Sequence, residues 1–386
     1  MPAARSSPYT WDIFCRVVDN FGDAGICWRL ALILRREHGL HVRLWIDDLK
    51  TLRALHPAVD PGVPVQQVEG ITVCSLQDRL PVADDVAVVI EAFGCGLPQA
   101  YVAGMAASVH PPLWIVLEYL SAEPWVDSHH GLSSPHPQLS LPRYFFFPGF
   151  TSATGGLLRE ADLLARRDAY NATARQGFWR ELGFAAPGAG TLAVSLFTYA
   201  DAPIYGLLAA MAQDQAPVVV AVPAGASLPA VRAFFGGAAD TGAGPWRRDA
   251  LEVRVLPFLP QASYDELLWA CDLNVVRGED SFVRAQWAAR PLVWQPYRQE
   301  AGAHVPKLEA FLGRYCSGLA PAAADALGAF WRCWNDNNAA GCGNTWPSLR
   351  AMLPDLAVHA GRWAGNLANS GEMAAQLVEF VGDRVE

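Results

Sequence analysis

The chain has 386 residues and a formal charge of −9, and 52% of it is hydrophobic and 11% aromatic, including 14 tryptophans. That length exceeds what one hydrophobic core usually serves, so two domains are expected, and the apolar content excludes a mainly disordered chain. A net acidic protein lacks the cationic field that general nucleic-acid or anionic-membrane binding needs, and there is no run of 18 apolar residues and no charged-then-apolar N-terminal segment, so a cytoplasmic protein outside the membrane is expected.

In chain order, residues 11–18, 42–46, 71–76, 86–90, 113–117 and 144–147 are short apolar runs that read as buried strands. Amphipathic segments alternate with them, at about 25–38 and 98–108, and a longer helical pattern covers 157–182. This alternation predicts a doubly wound, mostly parallel sheet. The glycine- and proline-rich stretch 183–190 marks a domain boundary. The same pattern then restarts, with strands at 191–197, 218–222, 251–256, 273–276 and 291–295 and helices at 202–212, 261–271 and 281–289. The last 65 or so residues read as helical, and the final helix, about 374–381, is expected to cross back onto the first domain. The expected domains are therefore 1–182 and 183–365, with 366–386 as the returning helix. Ligands of such sheets bind beyond the strand C-termini, here in an expected shared cleft.

Three constellations carry chemistry. The first strand leads into Asp19 and Asp23, on a glycine-containing loop just before the helix expected near Gly25. Two acids at a helix N-terminus are expected to have depressed pKa values, suited to gripping a cation or accepting a proton; an N-cap and an Asx turn are the plain alternative. In the second half, a strand delivers Arg277 to its end, Gly278 permits a sharp turn, and Glu279, Asp280 and Ser281 open a helix. Free N–H groups beside an arginine bind phosphate, and Glu279 can accept from hydroxyls; a capped helix with Arg277 paired to Glu279 or Asp280 is the alternative. Third, Phe197, Tyr199, Phe258, Gln261 and Tyr297 stand at other strand ends of that half, where a ring can stack on a nucleobase or simply fill the core.

Other chemistries lack support. The two glycines of Gly94-Cys-Gly-Leu-Pro-Gln99 fit a tight turn better than a dinucleotide fingerprint, because Gln99 stands where a third small residue belongs. Only Lys50 and Lys307 are lysines, and neither has a Walker or Schiff-base context. No D-x-D pair occurs, no histidine has metal-site spacing, and the eight cysteines form no C-x-x-C pair, so no metal and no cofactor are expected.

The strings DIFCRVVDNFGDAGICWRLA, EAFGCGLP, SLFTY, PFLPQ and RGEDSFVRAQW, spread from residue 11 to the C-terminal helices, resemble the EarP family of protein-arginine rhamnosyltransferases, which modify bacterial translation elongation factor P. The resemblance implies a GT-B type α/β glycosyltransferase of two Rossmann-like domains facing a central cleft. The N-terminal domain would receive elongation factor P and the C-terminal domain would bind dTDP-β-L-rhamnose. It implies inverting transfer to an arginine nitrogen without a metal, activating the factor for ribosomes stalled at polyproline. The family's paired acids fall on Asp19 and Asp23, the second as general base. Its donor-binding residues fall on Phe197, Tyr199, Phe258, Gln261, Arg277, Glu279, Asp280, Ser281 and Tyr297. A transferase using another nucleotide sugar or a small-molecule acceptor, and a non-catalytic nucleotide-sugar-binding protein, are the alternatives.

Overall fold

The computed structural model describes residues 10–19, 21–76, 86–136, 139–236, 245–299 and 302–385. The chain forms two compact units, one of Met1–Ala161 with Leu367–Glu386, the other of Asp162–Asn366.

Among the described residues, the first unit holds strands β1 (Thr10–Cys15), β2 (His41–Ile46), β3 (Val65–Val68), β4 (Ile71–Ser75), β5 (Val86–Ala92), β6 (Leu113–Leu117), β7 (Ser133–Pro135) and β8 (Pro142–Phe146). They lie in the order β3-β4-β2-β1-β5-β6-β8-β7. Strands β4, β2, β1, β5, β6 and β8 are parallel, and β3 and β7 pair antiparallel at the edges. The helices here are α1 (Phe21–Arg36), α2 (Leu49–Leu55), α3 (Gln99–Ala107) and α4 (Val126–His129). Central strands covered on both faces must be apolar throughout, which is why these runs are readable. The chain steps outward from β1 through β2 to β4, then returns to the other side with β5, so the switch point lies between β1 and β5. The buried charges of this core are satisfied: Arg43 grips Asp12 through two bonds of 2.6 and 2.7 Å, and the Tyr101 hydroxyl donates to the same carboxylate.

The second unit repeats the plan. Its strands β9 (Leu192–Leu196), β10 (Val218–Pro223), β11 (Trp246–Arg248), β12 (Leu251–Leu256), β13 (Leu273–Arg277) and β14 (Leu292–Gln295) lie in the order β11-β12-β10-β9-β13-β14, with the switch point between β9 and β13. Around them run α5 (Leu163–Ala169), α6 (Ala172–Glu181), α7 (Ile204–Ala212), α8 (Leu228–Phe235), α9 (Gln261–Ala270), α10 (Asp280–Trp287), α11 (His304–Cys316), α12 (Pro321–Asn335) and α13 (Ala339–Ala368). Helix α14 (Met373–Val385) belongs to the first unit, where Phe380 packs edge-on against Phe146 and Met373 N donates to Leu157 O at 3.1 Å. No helix among the described residues is long and apolar enough to cross a membrane.

Three expectations need correction. The helix expected over 157–182 is two short ones, because the Asn171 side chain accepts from Thr173 N and Ala174 N and starts α6 afresh. The units divide between Ala161 and Asp162 rather than at 182/183. The reason is that α5 and α6 are tied into the second unit: Arg167 Nη1 donates to Trp287 O, Arg175 Nε donates to Ala270 O, and Tyr170 packs on Trp269. The glycine- and proline-rich stretch is held there too, through Arg175 to Pro187 O and Arg254 to Ala185 O. Finally, α1 begins at Phe21, four residues earlier than the expected Gly25.

Candidate active site

In the first unit the loop after β1 turns into α1 beside the switch point. Asp23 is the third residue of α1 and only 1% exposed. Its carboxylate folds back over the loop. Oδ2 accepts the backbone N–H of Val18 at 2.8 Å and of Asp19 at 2.9 Å, and Oδ1 accepts the Tyr119 hydroxyl at 3.3 Å. Asp23 is thus inside the first turn and closes the loop that precedes it, rather than capping the helix from outside. Asp19 is also buried, and its carbonyl accepts Gly22 N at 2.8 Å. A Cβ at position 22 would lie 2.8 Å from Asp19 Oδ2, so glycine is what gives this carboxylate its place at the helix start. Asp47, just past β2, accepts Val17 N at 2.9 Å and brings a third carboxylate to the same strand ends.

Burial pushes the Asp23 carboxyl above the ordinary aspartate value, and the charge of Asp47 acts in the same direction; the two backbone N–H groups and the Tyr119 hydroxyl oppose it. The expected depression at a helix end is overturned here, because loss of hydration outweighs the donors. A carboxylate raised this way holds a proton more readily.

Tyr119 comes from beyond β6 and Phe93 from beyond β5. Their rings stack at 4.5 Å, tilted by 16°. Phe93 adopts a left-handed φ of 57°, which costs a bulky residue on the order of 1–3 kcal/mol. The turn is secured on both sides: Phe93 N donates to Leu117 O at 2.7 Å, and Gly96 N donates to the buried Glu91 at 2.9 Å. Gly94 and Gly96 have φ of 62° and 72°, so the glycines serve the turn.

In the second unit Arg277 closes β13, buried, with its guanidinium 4.8 Å from the Phe197 ring and 4.6 Å from the Tyr199 ring. Gly278, at φ 61°, makes the sharp turn, donating its N–H to Gln295 O at 2.9 Å while its carbonyl accepts from Trp294 Nε1 at 2.7 Å. The Ser281 hydroxyl bonds the Arg277 carbonyl and also accepts Arg277 N at 3.2 Å, locking the strand end to the start of α10. Gln261, first in α9, donates to Asp280 at 3.2 Å. Tyr199 meets Tyr297 edge-on at 5.8 Å, and Tyr297 is 44% exposed. Phe258 sits half-buried in the loop after β12, and Glu279 half-buried just before α10. Beneath, Arg284 and Asp265, 1% and 3% exposed, form a two-bond ion pair of 2.8 and 2.6 Å that ties α10 to α9.

Sequence reasoning missed Tyr119 and Phe93, and it reached Gln295 and Tyr264 only as strand-end residues without assigning them to the donor site. Gln295 accepts Tyr199 N at 3.1 Å and so fixes that ring's backbone. Tyr264 packs edge-on against Phe197 at 5.6 Å. Each stands at or near a strand or helix end, but only the sheet order shows which ends are neighbours.

Comparison with known proteins bears on family and fold. A family model described as Elongation-Factor P (EF-P) rhamnosyltransferase EarP matches residues 11–382. A protein-arginine rhamnosyltransferase of Pseudomonas putida is 48% identical over 381 residues, covering 96% of this chain and 98% of that protein. One from Pseudomonas aeruginosa is 45% identical over 377 residues, covering 97% and 99%. Among solved structures, one described as the basis for EarP-mediated arginine glycosylation of translation elongation factor EF-P is similar with a TM-score of 0.69 and 36% identity, covering 98% of this chain and all of that one. The spinosyn rhamnosyltransferase SpnG, at a TM-score of 0.52 and 12% identity, shares the fold, which is the GT-B type of glycosyltransferases.

Proposed function

The chain belongs to the EarP family of elongation-factor P rhamnosyltransferases, and on that premise we propose that it moves L-rhamnose from dTDP-β-L-rhamnose to an arginine side-chain nitrogen of elongation factor P, with inversion and without a metal. The observation that carries this reading is the pairing of chemistries at the two switch points: a buried carboxylate with raised proton affinity in the first unit, an arginine beside a helix N-terminus in the second.

A guanidinium, with a pKa above about 12, arrives charged and non-nucleophilic. Asp19 holds it and Asp23 takes its proton as the nitrogen attacks the anomeric carbon. The bond from that carbon to the diphosphate oxygen breaks, and its electron pair leaves with dTDP. Arg277 and the N–H groups opening α10 stabilise that charge. Phe197, Tyr199, Phe258 and Tyr297 offer rings to the base, and Gln261, Glu279, Asp280 and Ser281 offer polar contacts to sugar and phosphate. An enzyme of a translation factor works in the cytoplasm.

Incubation with dTDP-rhamnose and purified elongation factor P, followed by intact-mass spectrometry, should show one added deoxyhexosyl group, undiminished in excess EDTA. Donor binding without a mass gain would favour a non-catalytic binding protein. Transfer from another nucleotide sugar alone would displace the donor assignment, and loss in EDTA reversed by Mg²⁺ would overturn the metal-free step.

A further inference from the structure

We propose that Tyr119 is a positioning residue for proton acceptance, its phenol fixing Asp23 Oδ1 as the atom that takes the arginine proton. The inference rests on the reading of Asp23 as the base, and it adds which oxygen acts and what holds it.

A carboxylate oxygen has two in-plane lone pairs. On Oδ2 both are occupied, by Val18 N at 2.8 Å and Asp19 N at 2.9 Å. Oδ1 carries a single bond among the described residues, from the Tyr119 hydroxyl at 3.3 Å, which leaves it one lone pair for an incoming proton. The phenol itself cannot swing away easily. Its ring is stacked on Phe93 at 4.5 Å, Phe93 is fixed by its own N–H on Leu117 O, and on the other side of β6 Glu118 N donates to Phe146 O of β8 at 2.9 Å. The left-handed backbone of Phe93 is what turns its ring into that stack.

Tyr119 has a second effect through the same bond. The groups acting on Asp23 are Asp47 from beyond β2, the backbone N–H groups of Val18 and Asp19 in its own loop, and Tyr119 from beyond β6. Burial and Asp47 favour the protonated acid, which cannot act as a base. Hydrogen bonds to the charged form work against them, and the phenol is the side chain that supplies one. Removing the hydroxyl therefore keeps Asp23 protonated to a higher pH.

The test is the pH dependence of kcat with dTDP-rhamnose and intact elongation factor P, for the unaltered enzyme, Tyr119→Phe, Phe93→Leu and Asp23→Asn, each with a thermal melt. Tyr119→Phe should move the acidic limb up by about one pH unit, losing about tenfold below the limb and recovering most activity above it. Phe93→Leu keeps the phenol but loosens its brace, so its limb should move the same way by less; should Tyr119→Phe not fold, this variant decides. An unmoved limb, or a loss equal at every pH, overturns the proposal. If Asp23→Asn retains near-normal turnover, the reading of Asp23 as base has failed; if it is inactive while the Tyr119→Phe limb stays in place, that reading stands and this inference falls.

Discussion

The two units place opposite chemistry at the same topological address. In the first, the strand ends flanking the switch point carry Asp19, Asp23 and Phe93; in the second, the equivalent ends carry Phe197, Tyr199 and Arg277. The means of tolerating buried charge differ as well. Asp23 is held by N–H and O–H donors that only partly offset its burial, so its proton affinity stays high, whereas Arg277 lies over the rings of Phe197 and Tyr199 and the nearby Arg284 is neutralised by Asp265. On the proposed reading, the incomplete stabilisation falls on the group that would exchange a proton.

The sharpest way to break this contrast is Asp23→Asn. It keeps the size and loses the basic lone pair, so kcat should fall about 10²- to 10⁴-fold with dTDP affinity unchanged, while Asp19→Asn should also raise the KM for elongation factor P in the same steady-state measurements. Next comes Asp265→Ala, which strands the buried Arg284 charge; denaturant titration should show a loss of about 3–5 kcal/mol. Arg277→Ala should weaken dTDP binding by about 1.5–3 kcal/mol in calorimetry, the range for a charge-assisted hydrogen bond. The smallest effect sharpens the comparison. Because the folded Asp23 carboxyl is raised above its ordinary 3.8, the native state holds more protons than the unfolded chain between those values, and stability falls as pH rises through that window. Asp23→Asn removes this penalty, so its Tm at neutral pH should exceed that of the unaltered enzyme, with the gain fading as the pH drops toward 3.8.

The parallel strands and most of the residues at their C-terminal ends were readable because strands buried on both faces leave unbroken apolar runs that stop where the polar site begins. Strands β3, β7 and β11 were not, since VQQV, SSP and WRR are short, edge-on and largely polar. The pattern over 157–182 hid the break at Tyr170 and Asn171, because a side chain capping a new helix leaves the hydrophobic spacing intact. Tyr119 escaped for a different reason. Its partner is 96 residues away in sequence, and their meeting depends on which strands are neighbours in the sheet.

The first unit is completed by the last stretch of chain, Leu367–Glu386, while the second is continuous from Asp162 to Asn366. On the ribosome, the unit begun first is therefore the one finished last. Until α14 emerges, the place where Phe380 meets Phe146 and His130, and where Arg384 covers Tyr144, stays open to solvent. A chain cut before α14 would carry an intact second unit but an exposed aromatic seam on the first, the kind of surface that chaperones and proteases recognise.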